Sequence, residues 1–203
     1  MGSYQRHRPE ANPALVQHRL GGGGSGRDRV TALNWSGLHL RGLPRLASLA
    51  HHTQHITSLD LSRNALLKLA GLEHLPALEH LNVSDNRLVR VQDLSHNTRL
   101  LSLDASNNSL TCVSGLHGCH HLRHLRLRNN SVRRLENLRS QWRLETLDAS
   151  RNALEAPDDL DLSPCVCLCF LNLSHNAVTS LAGASVGPYN LNLIQSCTLK
   201  SKP

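Results

Sequence analysis

The chain has 203 residues, of which 41 are Leu and only five are aromatic, with a formal charge of +7. A compact enzyme core of this size draws on Phe, Tyr and Trp to fill irregular space and line a pocket, so this composition argues against a pocketed enzyme and for one small slot filled repeatedly. The charge sits mostly at the ends, with +3 on residues 1–29, +2 on residues 182–203 and +2 on the stretch between, which argues against a body built as a nucleic-acid surface.

Residues 1–29 carry five Arg and the run GGGGSG at 21–26, with no periodic apolar face; a disordered arm is expected. Gly21, Gly23 and Gly26 spell G-x-G-x-x-G, but no apolar strand precedes them and no helical pattern follows, so no nucleotide site is expected. The N-terminus lacks an apolar run of signal-peptide length and no stretch is long enough for a membrane span.

From Val30 the chain turns periodic. A degenerate unit, VTALNWSGLHL, has Leu38 where later units have Asn, and is followed by Leu40, Leu43, Leu46 and Leu49; it is read as a cap. Six clear units then begin at Ile56, Leu78, Leu100, Leu122, Leu144 and Leu168: ITSLDLSRNAL, LEHLNVSDNRL, LLSLDASNNSL, LRHLRLRNNSV, LETLDASRNAL and LCFLNLSHNAV. Alternation within each predicts a short strand with the fourth and sixth positions facing inward and the third and fifth facing out. The return halves repeat apolar residues at Leu69, Leu72 and Leu75, at Val91 and Leu94, at Val113 and Leu116, and at Leu135 and Leu138. A unit of this length leaves room only for a 3₁₀ turn or short helix there.

This pattern resembles the leucine-rich repeat family over residues 30–181, and in its unit length the 22-residue class that includes the nuclear regulatory subunit of protein phosphatase 1 and several centrosomal and ciliary proteins. The resemblance implies an α/β solenoid, a right-handed superhelix with a parallel concave sheet and short 3₁₀ or helical convex segments. It also implies that the ninth-position residues Asn64, Asn86, Asn108, Asn130, Asn152 and Asn176 form a structural amide ladder that satisfies backbone groups at the turn.

Function is then expected on the outward strand positions. Asp, Asn and Ser there are ordinary for such repeats, whereas Arg123, His124, Arg126 and Arg128 crowd into one unit beside Asp104 and Asp148, with Arg151 and Phe170 in the units that follow. Guanidinium forks suit carboxylates and an exposed aromatic suits an interface anchor, so these eight residues form the expected partner contact. Trp142, on the return segment, is expected in the core. Six Cys without a framework spacing, in a chain with no visible secretory signal, are read as reduced thiols, and the five N-x-S matches at Asn34, Asn82, Asn107, Asn129 and Asn172 as accidents. Cys165, Cys167 and Cys169 would share a face if extended, and Cys119, His120, His121 and His124 form a second donor group. Cys119, however, stands where Leu75 stands in its own unit, and no metal site is expected. Gly183-Ala184-Ser185-Val186-Gly187 spells a nucleophile elbow but lacks the strand and helix one requires. After Leu181 the pattern lapses and no capping segment is visible, so residues 182–203 are expected to be an irregular tail of a truncated or spliced chain.

The expected function is a non-enzymatic scaffold or regulatory adaptor, a monomer without cofactor or metal, that binds a protein on its concave face in the cytoplasm, at a centrosome or cilium, or in the nucleus. The alternative is an electrostatic binder of nucleic acid or acidic tubulin tails, using the arm and the Arg-rich unit.

Overall fold

A computed structural model describes residues 31–43, 46, 53–92, 94–135, 138, 140–155 and 162–178. The N-terminal arm, the stretch after Leu181 and most of the segment between the first two units lie outside the described residues.

Seven three-residue strands form one parallel sheet in chain order: β1 (Ala32–Asn34), β2 (Ser58–Asp60), β3 (His80–Asn82), β4 (Ser102–Asp104), β5 (His124–Arg126), β6 (Thr146–Asp148) and β7 (Phe170–Asn172). The pairing joins equal repeat positions, so Leu59, Leu81, Leu103, Leu125, Leu147 and Leu171 form one inward file. One unit of sequence therefore advances the chain by one strand spacing, about 4.8 Å. The result is the expected solenoid of roughly six turns, with less helix than the α/β description implied. The described elements include a single 3₁₀ turn, Leu72–His74, on the return side. A left-handed Gly71, with φ 107°, precedes it.

The degenerate first unit joins the sheet through β1, which pairs with β2. It puts Trp35 in the sixth-position file, fully buried with Leu33 and Leu40 over the end of the core. One continuous core runs from there to Val178, built from the predicted strand and return-side positions. Close stacking limits side-chain volume on the return side: a Cβ added to Gly118 would run into the Ser95 carbonyl of the preceding turn.

Each ninth-position Asn joins two turns. The Asn86 amide Nδ2 donates to Leu61 O of the turn before at 2.9 Å and to Val83 O of its own at 3.0 Å, while its Oδ1 accepts the Leu66 N–H at 3.0 Å. Asn64, Asn108, Asn130, Asn152 and Asn176 repeat this arrangement. The ladder expected from the resemblance is therefore present at all six positions.

Candidate interaction surface

The outward face of the sheet carries two rows. The third-position row runs Ala32, Ser58, His80, Ser102, His124, Thr146, Phe170; the fifth-position row runs Asn34, Asp60, Asn82, Asp104, Arg126, Asp148, Asn172. Fifth-position Asp and Asn residues have local work to do. Asp60, Asn82, Asp104, Asp148 and Asn172 each accept, through Oδ1, the N–H two residues on, at 2.8 to 3.1 Å, and Asn34 does the same with Ser36. This Asx turn bends the chain off the strand, and the residue it holds is Ser in every one of those units. The sequon spelling at Asn34, Asn82 and Asn172 is therefore a by-product of the Asx–x–Ser turn.

The residue that follows, at the eighth position, is the cost of that bend. Gly37, Arg63, Asp85, Asn107, Asn129, Arg151 and His175 all hold positive φ, between 54° and 65°. Gly, Asn and Asp enter that region readily; Arg63, Arg151 and His175 do so against a penalty of about 1 kcal/mol. The tight packing of consecutive turns imposes this conformation whatever residue is present, which is why Arg151 gave no sign of it in the sequence.

Only β5 departs from the Asx–x–Ser rule. Arg126 replaces the Asx and Arg128 replaces the Ser, and both are exposed. Arg126 lies in register between Asp104 and Asp148, with its Nη1 at 3.9 Å from Asp104 Oδ2. Arg123 Nη1 contacts Glu145 Oε1 of the next turn at 3.3 Å, and His124 Nδ1 lies 3.0 Å from the Thr146 hydroxyl. Of the predicted cluster, Arg123 and Arg126 are thus engaged by neighbouring turns, and Arg128 and Arg151 project at the end of the strands without a carboxylate within 4 Å among the described residues. Phe170 is 44% exposed at the far end of the third-position row.

Trp142 corrects an expectation. It is 47% exposed rather than in the core, with the Arg143 guanidinium 4.4 Å from its ring centroid. Its neighbour Gln141 takes the inward site, and the position after it faces solvent in the next turn also, where Val166 is 42% exposed. Arg143 Nη1 further lies 2.8 Å from His121 Nδ1.

The thiols separate in the same way. Cys165 is buried while Cys167 and Cys169 are exposed, so the three do not share a face. Cys119 is fully buried, its Sγ 3.4 Å from Leu94 O, and burial pushes its thiol from 9.0 up to about 12. That turns it away from His120 and His121, which are exposed.

Cys119 and Cys165 belong to a second inter-turn file, which no shared residue type marks in the sequence. Thr53, Leu75, Asn97, Cys119, Gln141 and Cys165 occupy equivalent return-side sites, all buried. Asn97 Nδ2 donates to Leu72 O and Leu75 O at 2.9 and 3.0 Å, and Gln141 Nε2 to Leu116 O at 2.8 Å.

Comparison with known proteins agrees with this geometry. The family described as leucine-rich repeats, in two copies, matches residues 98–140. Residues 98–140 are leucine-rich repeats, and the described stack as a whole has that fold. Among solved structures, this leucine-rich repeat chain is similar to the leucine-rich repeat domain of APL1, with a TM-score of 0.66, 22% identity, and coverage of 81% of this chain and 42% of that one. It is also similar to the functional domain of InlJ from Listeria monocytogenes, with a TM-score of 0.52, 24% identity, and coverage of 77% of this chain and 38% of that one. A third similarity is to the internalin InlF of the same organism, at a TM-score of 0.51, 20% identity, and coverage of 76% and 50%. The chain thus spans between about two fifths and a half of the length of these proteins, and the likeness is one of fold. No curated protein matches it significantly. No helix among the described residues is long and apolar enough to cross a membrane.

Proposed function

We propose that this repeat domain is a non-enzymatic protein-interaction module, a scaffold or adaptor, whose contact surface is the outward sheet face around β5. The observation that carries the reading is the break in the Asx–x–Ser rule. Six units use those two sites to build their own turn, and one gives both up for guanidinium groups that the fold does not require. Arg128 and Arg151 offer forks to carboxylates of a partner, the Asp104–Arg126–Asp148 row offers alternating charge that fixes register, and Phe170 supplies an apolar anchor. Any assignment to a centrosome, a cilium or a phosphatase rests on the 22-residue spacing alone.

The test is affinity capture from cell lysate with the full chain and with an Arg128→Glu/Phe170→Ala variant, both checked for unchanged circular dichroism. Proteins retained by the first are expected to be lost from the second. If the variant captures the same set, the face has been misassigned. Capture that collapses between low and moderate salt while tracking nucleic acid in the eluate would instead support the acidic-polymer reading.

A further inference from the structure

Among the described residues, charge is segregated by face in a way their total of +5 conceals. After each strand the chain descends one flank, along residues 35–43, 61–70, 83–92, 105–114, 127–135, 149–155 and 173–178. The described residues include thirteen Lys or Arg and eight Asp or Glu; nine of the cations and two of the anions lie on this flank, so it carries +7 and everything else described carries −2. Arg63, Lys68, Arg87, Arg90, Arg128 and Arg133 are all exposed there. The Arg123–Glu145 and Arg126–Asp104 contacts lie elsewhere, on the sheet and its opposite rim.

Backbone hydrogen bonds hold the flank in register. Arg87 N–H donates to Leu66 O at 3.0 Å, Ser109 N–H to Leu88 O at 2.9 Å and Thr111 N–H to Val89 O at 3.2 Å, and Arg90 bridges Cys112 in parallel. Leu67-Lys68 therefore lies beside Val89-Arg90. Leu67 is 61% exposed and Val89 47%, although Leu66, Leu69, Leu88 and Val91 around them fill the core. An adjacent aliphatic pair contributes little to folding at that exposure, and it is ringed by Arg63, Lys68, Arg87 and Arg90.

We propose that this flank, which meets the sheet face at Arg128 and Arg151, is a second docking surface, for an acidic protein segment that carries aliphatic side chains. Charge complementarity sets the sign of the partner, and the Leu67–Val89 pair sets its second requirement. A predominance of Arg over Lys favours planar carboxylate pairing. Stacking platforms of the kind that hold single-stranded nucleic acid are missing, since no exposed aromatic lies on the flank among the described residues.

The experiment is a fluorescence anisotropy titration of the full chain with a labelled synthetic peptide of Glu and Asp carrying Leu at every fourth position. Polyglutamate of equal charge, a single-stranded oligonucleotide and phosphatidylserine vesicles are the competing probes. The Leu-bearing peptide is expected to bind tightest, and Arg87→Glu/Arg90→Glu to weaken it by about tenfold or more. Leu67→Ser/Val89→Ser should weaken it by about threefold to tenfold, while Arg99→Glu, off the flank, changes it less than about twofold. Equal binding of polyglutamate, tighter binding of oligonucleotide or vesicles, or full affinity in both double variants overturns the proposal. Should the charge-reversed variant fail to fold, the serine pair carries the test alone. Because Arg128 borders both surfaces, Phe170→Ala alone, off the flank in β7, serves the sheet-face proposal here, so either surface can fail without the other.

Discussion

Two inter-turn files run the length of this solenoid, and they differ in how much chemistry they permit. Beside the sheet, the ninth position is Asn in six consecutive units; on the return side, the equivalent sites hold Thr53, Leu75, Asn97, Cys119, Gln141 and Cys165. The reason lies in what the backbone lacks at each place. Beside the sheet, the N–H groups of Leu40, Leu66, Leu88, Leu110, Val132 and Leu154 find their acceptor in an Asn Oδ1 of the following turn. Carbonyls such as Leu61 O and Val83 O receive only Asn amides. A side chain there must donate and accept at once within a fixed reach, and the Asn amide does so with two donors and one oxygen. On the return side the carbonyls of Leu72, Leu75, Leu94, Leu116 and Leu138 already accept a backbone N–H of their own turn. A second donor is an addition, so a thiol, a longer amide or none at all will do. Asn97 Oδ1 and Gln141 Oε1 even lie buried without a hydrogen-bond partner among the described residues.

The sharpest way to break this contrast is at the centre of the first file. Asn108→Leu removes donors to Val83 O, Ala105 O and Ser106 O and orphans the buried Leu88 N–H. A lost buried partner plus three weakened bonds is expected to cost about 3–5 kcal/mol, which a denaturant melt would read as a large fall in midpoint at unchanged slope. A loss below about 1 kcal/mol would mean that the ladder is ornamental and the two files are alike.

Much of this architecture was legible in the sequence because a parallel in-register stack turns repeat spacing directly into neighbourhood. The inward Leu files and the outward rows follow from alignment alone, and the Asn ladder from the family resemblance that the alignment brings out. What escaped was information that residue type does not announce. Arg151 sits left-handed because the stack bends there, and Trp142 faces out because Gln141 beside it takes the inward site. The return-side file was invisible because its members share a location but no chemistry. The placing of Arg126 between Asp104 and Asp148 was legible in the 22-residue separation of the three, while its ion pair with Asp104 in particular was not. The flank's +7 was hidden for a different reason: a net charge summed along the chain averages two faces that the fold separates.

Within the return-side file, Cys119 tests whether the site wants a donor or simply an apolar volume. Its thiol is held at about 12 against an ordinary 9.0 by burial. Between those values the unfolded chain has lost this proton and the folded chain keeps it, so the contribution of Cys119 to stability is intact below pH 9 and declines as pH rises toward 12. The slope from this single group is at most about 1.4 kcal/mol per pH unit. Cys119→Ala is expected to abolish that component, so that the stability difference between wild type and variant narrows on going from pH 8 to pH 10.5. A difference that stays constant over this range would show that the thiol ionises as easily inside as outside.

The smallest effect is expected where the file is most polar. Asn97 buries an amide whose Nδ2 reaches Leu72 O and Leu75 O but whose Oδ1 meets no partner among the described residues, and both carbonyls keep the N–H groups of Leu75 and Leu78 without it. Asn97→Leu, which copies the Leu75 arrangement one turn earlier, gives up two auxiliary bonds and relieves one desolvated oxygen. These nearly cancel, so thermal melting should move stability by less than about 1 kcal/mol in either direction. The comparison with Asn108→Leu is then the cleanest available, since the same substitution is made in the same core one turn apart on opposite sides. Equal losses at the two sites would show that burial of the amide, and not the count of otherwise unpartnered backbone groups, is what the solenoid rewards.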